Sequence, residues 1–123
     1  MSASYLLVVD DDPQITTLLR IVLGRVGWHV RESHSGTQAL DMARQRRPDA
    51  VLVDLWMPDM TGADVVQEMV TEPGLAEVPV IVTTGDTEAP EVSGAFATLT
   101  KPFSVEQLYH TIRAAIGAGD RSN

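Results

Sequence analysis

Five short β-prone runs, Tyr5–Val9, Trp28–Glu32, Ala50–Val53, Val78–Val82 and Phe96–Thr100, recur along this chain, with stretches of helical spacing between them. Runs this short, most of them rich in Val, suit strands better than helices. Strands that alternate with helices over short connections lie parallel, and right-handed crossovers put the helices on both faces of the sheet. The expected fold class is therefore α/β, a flavodoxin-like (βα)5 three-layer sandwich around a five-stranded parallel sheet. The second run alternates Trp28 and Val30 with His29 and Arg31. One wetter face suits an edge strand, which favours the order 2-1-3-4-5.

The intervening segments carry their own start and stop signals. Asp12-Pro13 reads as an N-cap followed by a first-turn proline, and Ile15, Leu18, Leu19, Val22 and Val26 form a stripe that Gly24 and Gly27 close. Ser35 and Gln38 have capping-box spacing, opening a helix with Ala39, Leu40 and Ala43 inward. Ser104 and Gln107 repeat that spacing at a closing helix with Val105, Leu108, Ile112, Ala115 and Ile116 on one face. Ala63 to Val70 carries Val65, Val66, Met69 and Val70 and stops at Glu72-Pro73-Gly74. From Thr87 to Ala95, Pro90 and Gly94 interrupt any stripe, so a turn or two of helix is the most that region is expected to form.

The chemistry sits where the strands stop. Val9 is followed by Asp10-Asp11-Asp12, Val53 by Asp54, Val82 by Thr83 and Thr100 by Lys101. Ligands of open parallel sheets bind beyond the carboxyl ends of the strands, so Asp10, Asp11, Asp54, Thr83 and Lys101 are expected on one rim. Three carboxylates gathered there repel, and without a counter-charge one of them holds a proton. Oxygen donors with no His or Cys among them match Mg²⁺. A lysine and a threonine hydroxyl facing a metal-bound carboxylate suit an incoming phosphoryl group. Asp54 is then the nucleophile that becomes an aspartyl phosphate. Asp12 reads as a cap, Asp59 and Asp64 as turn and first-turn residues, and His29, His34 and His110 show no ligand or triad spacing. Trp56 and Asp86, on the flanking loops, are expected to tune how long the acyl phosphate survives.

Length and charge narrow the function. With 123 residues the chain is expected to be one domain, 1–123, ordered over about 4–117. No apolar run is long enough to span a membrane and no signal segment opens the chain, which predicts a cytoplasmic protein with no membrane partner. The absence of Cys excludes disulfides and thiolate metal sites. A net charge of −8 opposes phosphate backbones, so no direct nucleic-acid binding is expected. The basic cluster Arg44-Gln45-Arg46-Arg47 reads as cations at a helix C-terminus.

Taken together, Asp10-Asp11 after Val8-Val9, Val53-Asp54-Leu55-Trp56-Met57-Pro58 with Gly62 beyond, Thr83 and Lys101-Pro102-Phe103 resemble a response-regulator receiver domain of two-component signalling over essentially the whole chain. The resemblance implies that Asp11 and Asp54 ligate Mg²⁺ directly, Asp10 through water, and the Trp56 carbonyl as a third protein ligand. It implies that Lys101 pairs with the phosphoryl group, that Thr83 swings toward it, and that the Lys101-Pro102 bond is cis. Implied partners are a sensor histidine kinase or phosphotransfer protein and a downstream protein target, with output through protein contacts or as a phosphate relay or sink. The chain departs from the family in a shorter Thr83–Lys101 segment and in having Thr98 where an aromatic switch residue is common. It is expected to be a stand-alone receiver or one belonging to a hybrid kinase. An unphosphorylated pseudo-receiver is the alternative, and a haloacid-dehalogenase-type phosphohydrolase is disfavoured because Asp12-Pro13 turns straight into a helix.

Overall fold

The structure, a computed structural model, describes residues 4–120 and the side chains of residues 4–117. Its elements run β1 (Leu6–Val9), α1 (Pro13–Gly24), β2 (Val30–Ser33), α2 (Gly36–Gln45), β3 (Ala50–Asp54), α3 (Gly62–Thr71), β4 (Val80–Thr84), β5 (Ala97–Thr100) and α4 (Val105–Asp120). The strands form one parallel sheet in the order β2-β1-β3-β4-β5, with the mixed-pattern strand at an edge as expected.

The twofold period of the strands sorts the core into two layers. Leu7, Val9, Val51, Val53, Val80 and Val82 face α2 and α3, together with Ala39, Leu40, Val65 and Met69. Leu6, Val8, Ala50, Leu52, Ile81 and Leu99 face α1 and α4, against Leu19, Leu23, Leu108 and Ile112. Each fully buried side chain of this size stabilises the fold by about 2 kcal/mol. Continuing the second layer one step past the strand ends puts Asp10, Asp54, Thr83 and Lys101 on the α1/α4 side.

Capping follows the sequence closely. Asp12 accepts from the Gln14 N–H and Ser35 from the Gln38 N–H. At α4, Ser104 and Gln107 form the reciprocal box, at 3.0 and 2.8 Å. The expected box at α2 is only half made, because the Gln38 side chain accepts from the His34 N–H instead. A further box, Thr61 with Asp64, opens α3.

One expectation needs correction. The buried stripe of α1 is Thr16, Leu19 and Leu23, while Leu18 and Val26 are exposed. Thr16 can be buried because its hydroxyl donates to the Pro13 carbonyl and lies 3.1 Å from His34 Nε2. The thin pattern from Thr87 to Ala95 has its expected result, four helices beside five strands: among the described residues only turns join β4 to β5. Pro90 removes a helical donor and Gly94 has φ +90°, so the segment folds down as an irregular strap. Ala89, Val92 and Ala95 dock on the α2/α3 layer in place of a helix. A side chain at Gly94 would meet Val66 at 3.1 Å and Val70 at 3.3 Å, which is how closely the strap lies on α3.

Candidate functional site

Parallel register brings the strand ends together. Asp54 pairs with Thr83 across β3 and β4, the Leu55 N–H donates to the Thr83 carbonyl at 2.8 Å, and the Lys101 N–H donates to the Thr84 carbonyl at 2.7 Å. Four polar side chains from four strand ends therefore share one rim, held by backbone bonds rather than by loops. The Lys101-Pro102 peptide is cis.

Asp10 is buried, at 4% exposure, and both its oxygens are engaged: one accepts from the Asp12 N–H at 2.9 Å, the other from Lys101 Nζ at 3.3 Å. Lys101 Nζ also reaches Asp54 Oδ1 at 3.0 Å. Asp11 is exposed at the mouth of the site. Asp10, Asp11 and Asp54 each offer a carboxylate oxygen, and those atoms lie within 4.8 Å of one another.

One ammonium does not balance this cluster. Burial pushes the Asp54 carboxyl above its ordinary range; the hydrogen bond and charge of Lys101 pull it down, and Asp10 and Asp11 push it up again, leaving it raised. Burial alone would lower Lys101, but its bond to Asp54 and the charges of Asp54 and Asp10 outweigh that and hold its proton more tightly than in an ordinary lysine. The rim thus keeps unneutralised negative charge on hard oxygen donors, which fits a small divalent cation and not a thiophilic one.

The remaining sequence candidates fall at the edge of this group. Thr83 is buried directly opposite Asp54. Trp56, on the loop two residues past Asp54, is 54% exposed. Asp86 is exposed and engaged locally, its N–H bonded to Thr84 Oγ1 and its carboxylate to the Glu88 N–H. Arg44 of the basic cluster pairs with Glu72 at 2.9 Å, and Arg46 lies 5.0 Å over the Tyr5 ring, so these cations act through side-chain partners.

Sequence reasoning missed Asp59. Far from being only a turn residue, it reaches across to α2 and accepts from the Gly36 N–H at 3.1 Å, the Thr37 N–H at 3.0 Å and the Thr37 hydroxyl at 2.9 Å. Burial would raise its carboxyl, yet the bonds from Thr37, Gly36 and Met60 together hold it below the usual range. No local signal marks a partner more than twenty residues away; the Gly36-Thr37 pair at the helix start is the nearest hint.

The sequence profile of the response regulator receiver domain matches residues 6–113. The probable transcriptional regulatory protein TcrX of Mycobacterium tuberculosis is 36% identical over 116 residues, covering 89% of this chain and 48% of TcrX. The DNA-binding response regulator MtrA of the same species is 38% identical over 120 residues, covering 94% of this chain and 51% of MtrA. Among solved structures, a response regulator receiver domain protein from Clostridium thermocellum superposes with a TM-score of 0.88 at 26% identity, covering 98% of this chain and all of that one. The chain spans about half the length of the curated relatives it matches. These relatives overturn the expectation of no direct nucleic-acid partner. The net charge of −8 is that of these 123 residues, whereas MtrA is named a DNA-binding regulator and about half of it lies outside the match. Among the described residues no helix is long and apolar enough to cross a membrane.

Proposed function

Because the chain belongs to the response regulator receiver domain family, we propose that it is the phosphoacceptor switch of a two-component pathway, with Asp54 taking the phosphoryl group. Such domains are signalling modules and not enzymes of the ordinary kind. The observation that carries the reading is the Lys101 ion pair to both Asp54 and Asp10 inside a carboxylate cluster it cannot neutralise.

In this reading Asp11, Asp54 and the Trp56 carbonyl would hold Mg²⁺, with Asp10 beside them in the same carboxylate cluster. When bound, the ion would supply positive charge to the oxygens of the transferring phosphoryl group. Asp54 attacks phosphorus as the N–P bond of a phosphohistidine breaks, and the imidazole leaves with that electron pair. Lys101 then exchanges one carboxylate partner for a phosphoryl oxygen. Thr83, level with Asp54 on the neighbouring strand, turns its hydroxyl to another. That movement pulls on β4 and β5 and on the strap between them, so residues 85–100 carry the signal outward.

The phosphodonor is a sensor histidine kinase or a phosphotransfer protein, and the domain, residues 1–123, catalyses its own phosphorylation and dephosphorylation in the cytoplasm. The names of TcrX and MtrA support a full-length form whose output is DNA binding under the control of Asp54. Intact mass after treatment with acetyl phosphate and Mg²⁺ tests the reading. The wild type should gain one phosphoryl group and Asp54→Asn none; a wild type that stays unmodified would mark a pseudo-receiver.

A further inference from the structure

We infer that Asp59 is a positioning residue for the cation, holding the Trp56 loop in register by clasping the N-terminus of α2. The inference rests on the proposed Mg²⁺ site.

The loop leaves β3 at Asp54 and re-enters structure at α3. Its base is closed by the Gly62 N–H donating to the Leu55 carbonyl at 2.8 Å, and Gly62 sits so close that a side chain there would lie 2.8 Å from the Asp54 carbonyl oxygen. Closing the base does not fix the tip, where the chain swings out through Trp56, Pro58 and Asp59, all exposed. Two inward anchors flank that swing: Met57 is buried in the α2/α3 layer, and Met60 lies where a Gly36 side chain would be, 2.2 Å from its Cγ. Such apolar anchors are adaptable, because a methionine side chain slides and rotates. The directional constraint comes from Asp59, whose three bonds fix both the distance and the orientation of the tip against α2.

A helix cap is the simpler role for Asp59, but α2 already has one. Ser35 accepts the third orphan N–H, that of Gln38. Asp59 takes the first two, those of buried Gly36 and exposed Thr37, and water could serve the exposed one instead. What water could not do is tie the loop of a metal ligand to a second element. The α2 N-terminus, positive by its dipole, is a matched anchor for a carboxylate. A cation site that keeps a backbone carbonyl among its ligands depends on where that carbonyl points, and groups outside the coordination sphere that set such orientation strongly affect affinity.

The test measures the Mg²⁺ dissociation constant by calorimetry and stability by urea unfolding for the wild type, Asp59→Ala, Asp59→Asn and Ser35→Ala. Asp59→Ala should weaken Mg²⁺ binding by roughly three- to tenfold, at or below the low end for an outer-sphere partner. Ser35→Ala destabilises the same helix end without touching the loop and should bind within about twofold of wild type, a margin small against an outer-sphere loss. Asp59→Asn keeps an acceptor while losing the charge, so it should bind distinctly more tightly than Asp59→Ala. Equal weakening by Ser35→Ala would make the effect one of helix stability, and equal weakening by Asn and Ala would make it one of charge; either result overturns the inference, as does an Asp59→Ala protein that binds like wild type. A wild type that binds no Mg²⁺ removes the cation reading itself and the inference with it.

Discussion

Replacing Lys101 by Met removes the ammonium that stands between Asp10 and Asp54. At an effective dielectric constant near 20, unit charges 3.0 and 3.3 Å apart attract by about 5 kcal/mol each before desolvation is counted. The lysine side chain is 32% exposed, so solvent screens much of that. Breaking a buried pair costs about 3–5 kcal/mol and an exposed one less than about 1, which places this site near 2 kcal/mol. For a domain of this size that is a drop of roughly 6–10 °C in Tm. Mg²⁺ should then stabilise the variant by more than it stabilises wild type, because the ion becomes the counter-charge that Lys101 was; at a hundred times Kd the linkage is worth about 2.7 kcal/mol. Urea unfolding of both proteins in chelator and in Mg²⁺ measures these quantities. A Lys101→Met protein as stable as wild type in chelator, or one that gains no more from Mg²⁺, would refute the charge-balance argument.

Asp54 makes the metal-free protein pH-sensitive in a direction that can be worked out. Its folded carboxyl is raised above the ordinary range, so between the ordinary and the raised value only the folded state holds the proton, and stability falls as pH rises through that window. Asp54→Asn should abolish this slope in urea melts run from mildly acidic to neutral pH, and a slope unchanged from wild type would assign it elsewhere. Gly62→Ala forces a methyl group to 2.8 Å from the Asp54 carbonyl oxygen and 3.1 Å from Leu55 Cα, backbone atoms that cannot yield, and should cost about 2 kcal/mol. Gly36→Ala makes the closer overlap, with Met60, but a flexible side chain can move and a helix favours Ala, so its cost should stay below about 1 kcal/mol; the opposite ranking in chemical denaturation would show that the loop yields after all. Trp56→Ala should shorten the lifetime of the aspartyl phosphate if the exposed indole on the loop two residues past Asp54 shields that group from water; unchanged decay in this variant and in Asp86→Ala would dispose of any role for either loop.

The strand ends were legible because a strand announces itself locally. Val51, Leu52 and Val53 followed by Asp54 mark both the element and where it stops, and twofold alternation assigns the side. Asp12 and Ser104 were readable as caps for the same reason, since their partners lie two and three residues away. The lining of the site followed once parallel order was deduced, as Asp10, Asp54, Thr83 and Lys101 are simply the residues that continue one face.

Where local signals competed, the reading failed. In α1 the stripe through Leu18 and Val26 competed with one through Thr16 and Leu23, and the second is buried, with the Thr16 hydroxyl satisfied by the Pro13 carbonyl and lying 3.1 Å from His34 Nε2. The strap from Gly85 to Phe96 carries too little pattern to be assigned, and its path is set by the groove that Val66 and Val70 leave beneath Gly94.

What the amino-acid order determined alone was everything that interacts within a turn or along one strand: the alternation, the caps and the acidic strand ends. Only the packed molecule decided that Lys101 would be shared by Asp10 and Asp54, and that Asp59 would hold α2. Those contacts join residues 22 to 91 positions apart, and such proximity arises from how sheet and helices pack, a property that no short stretch of the chain encodes.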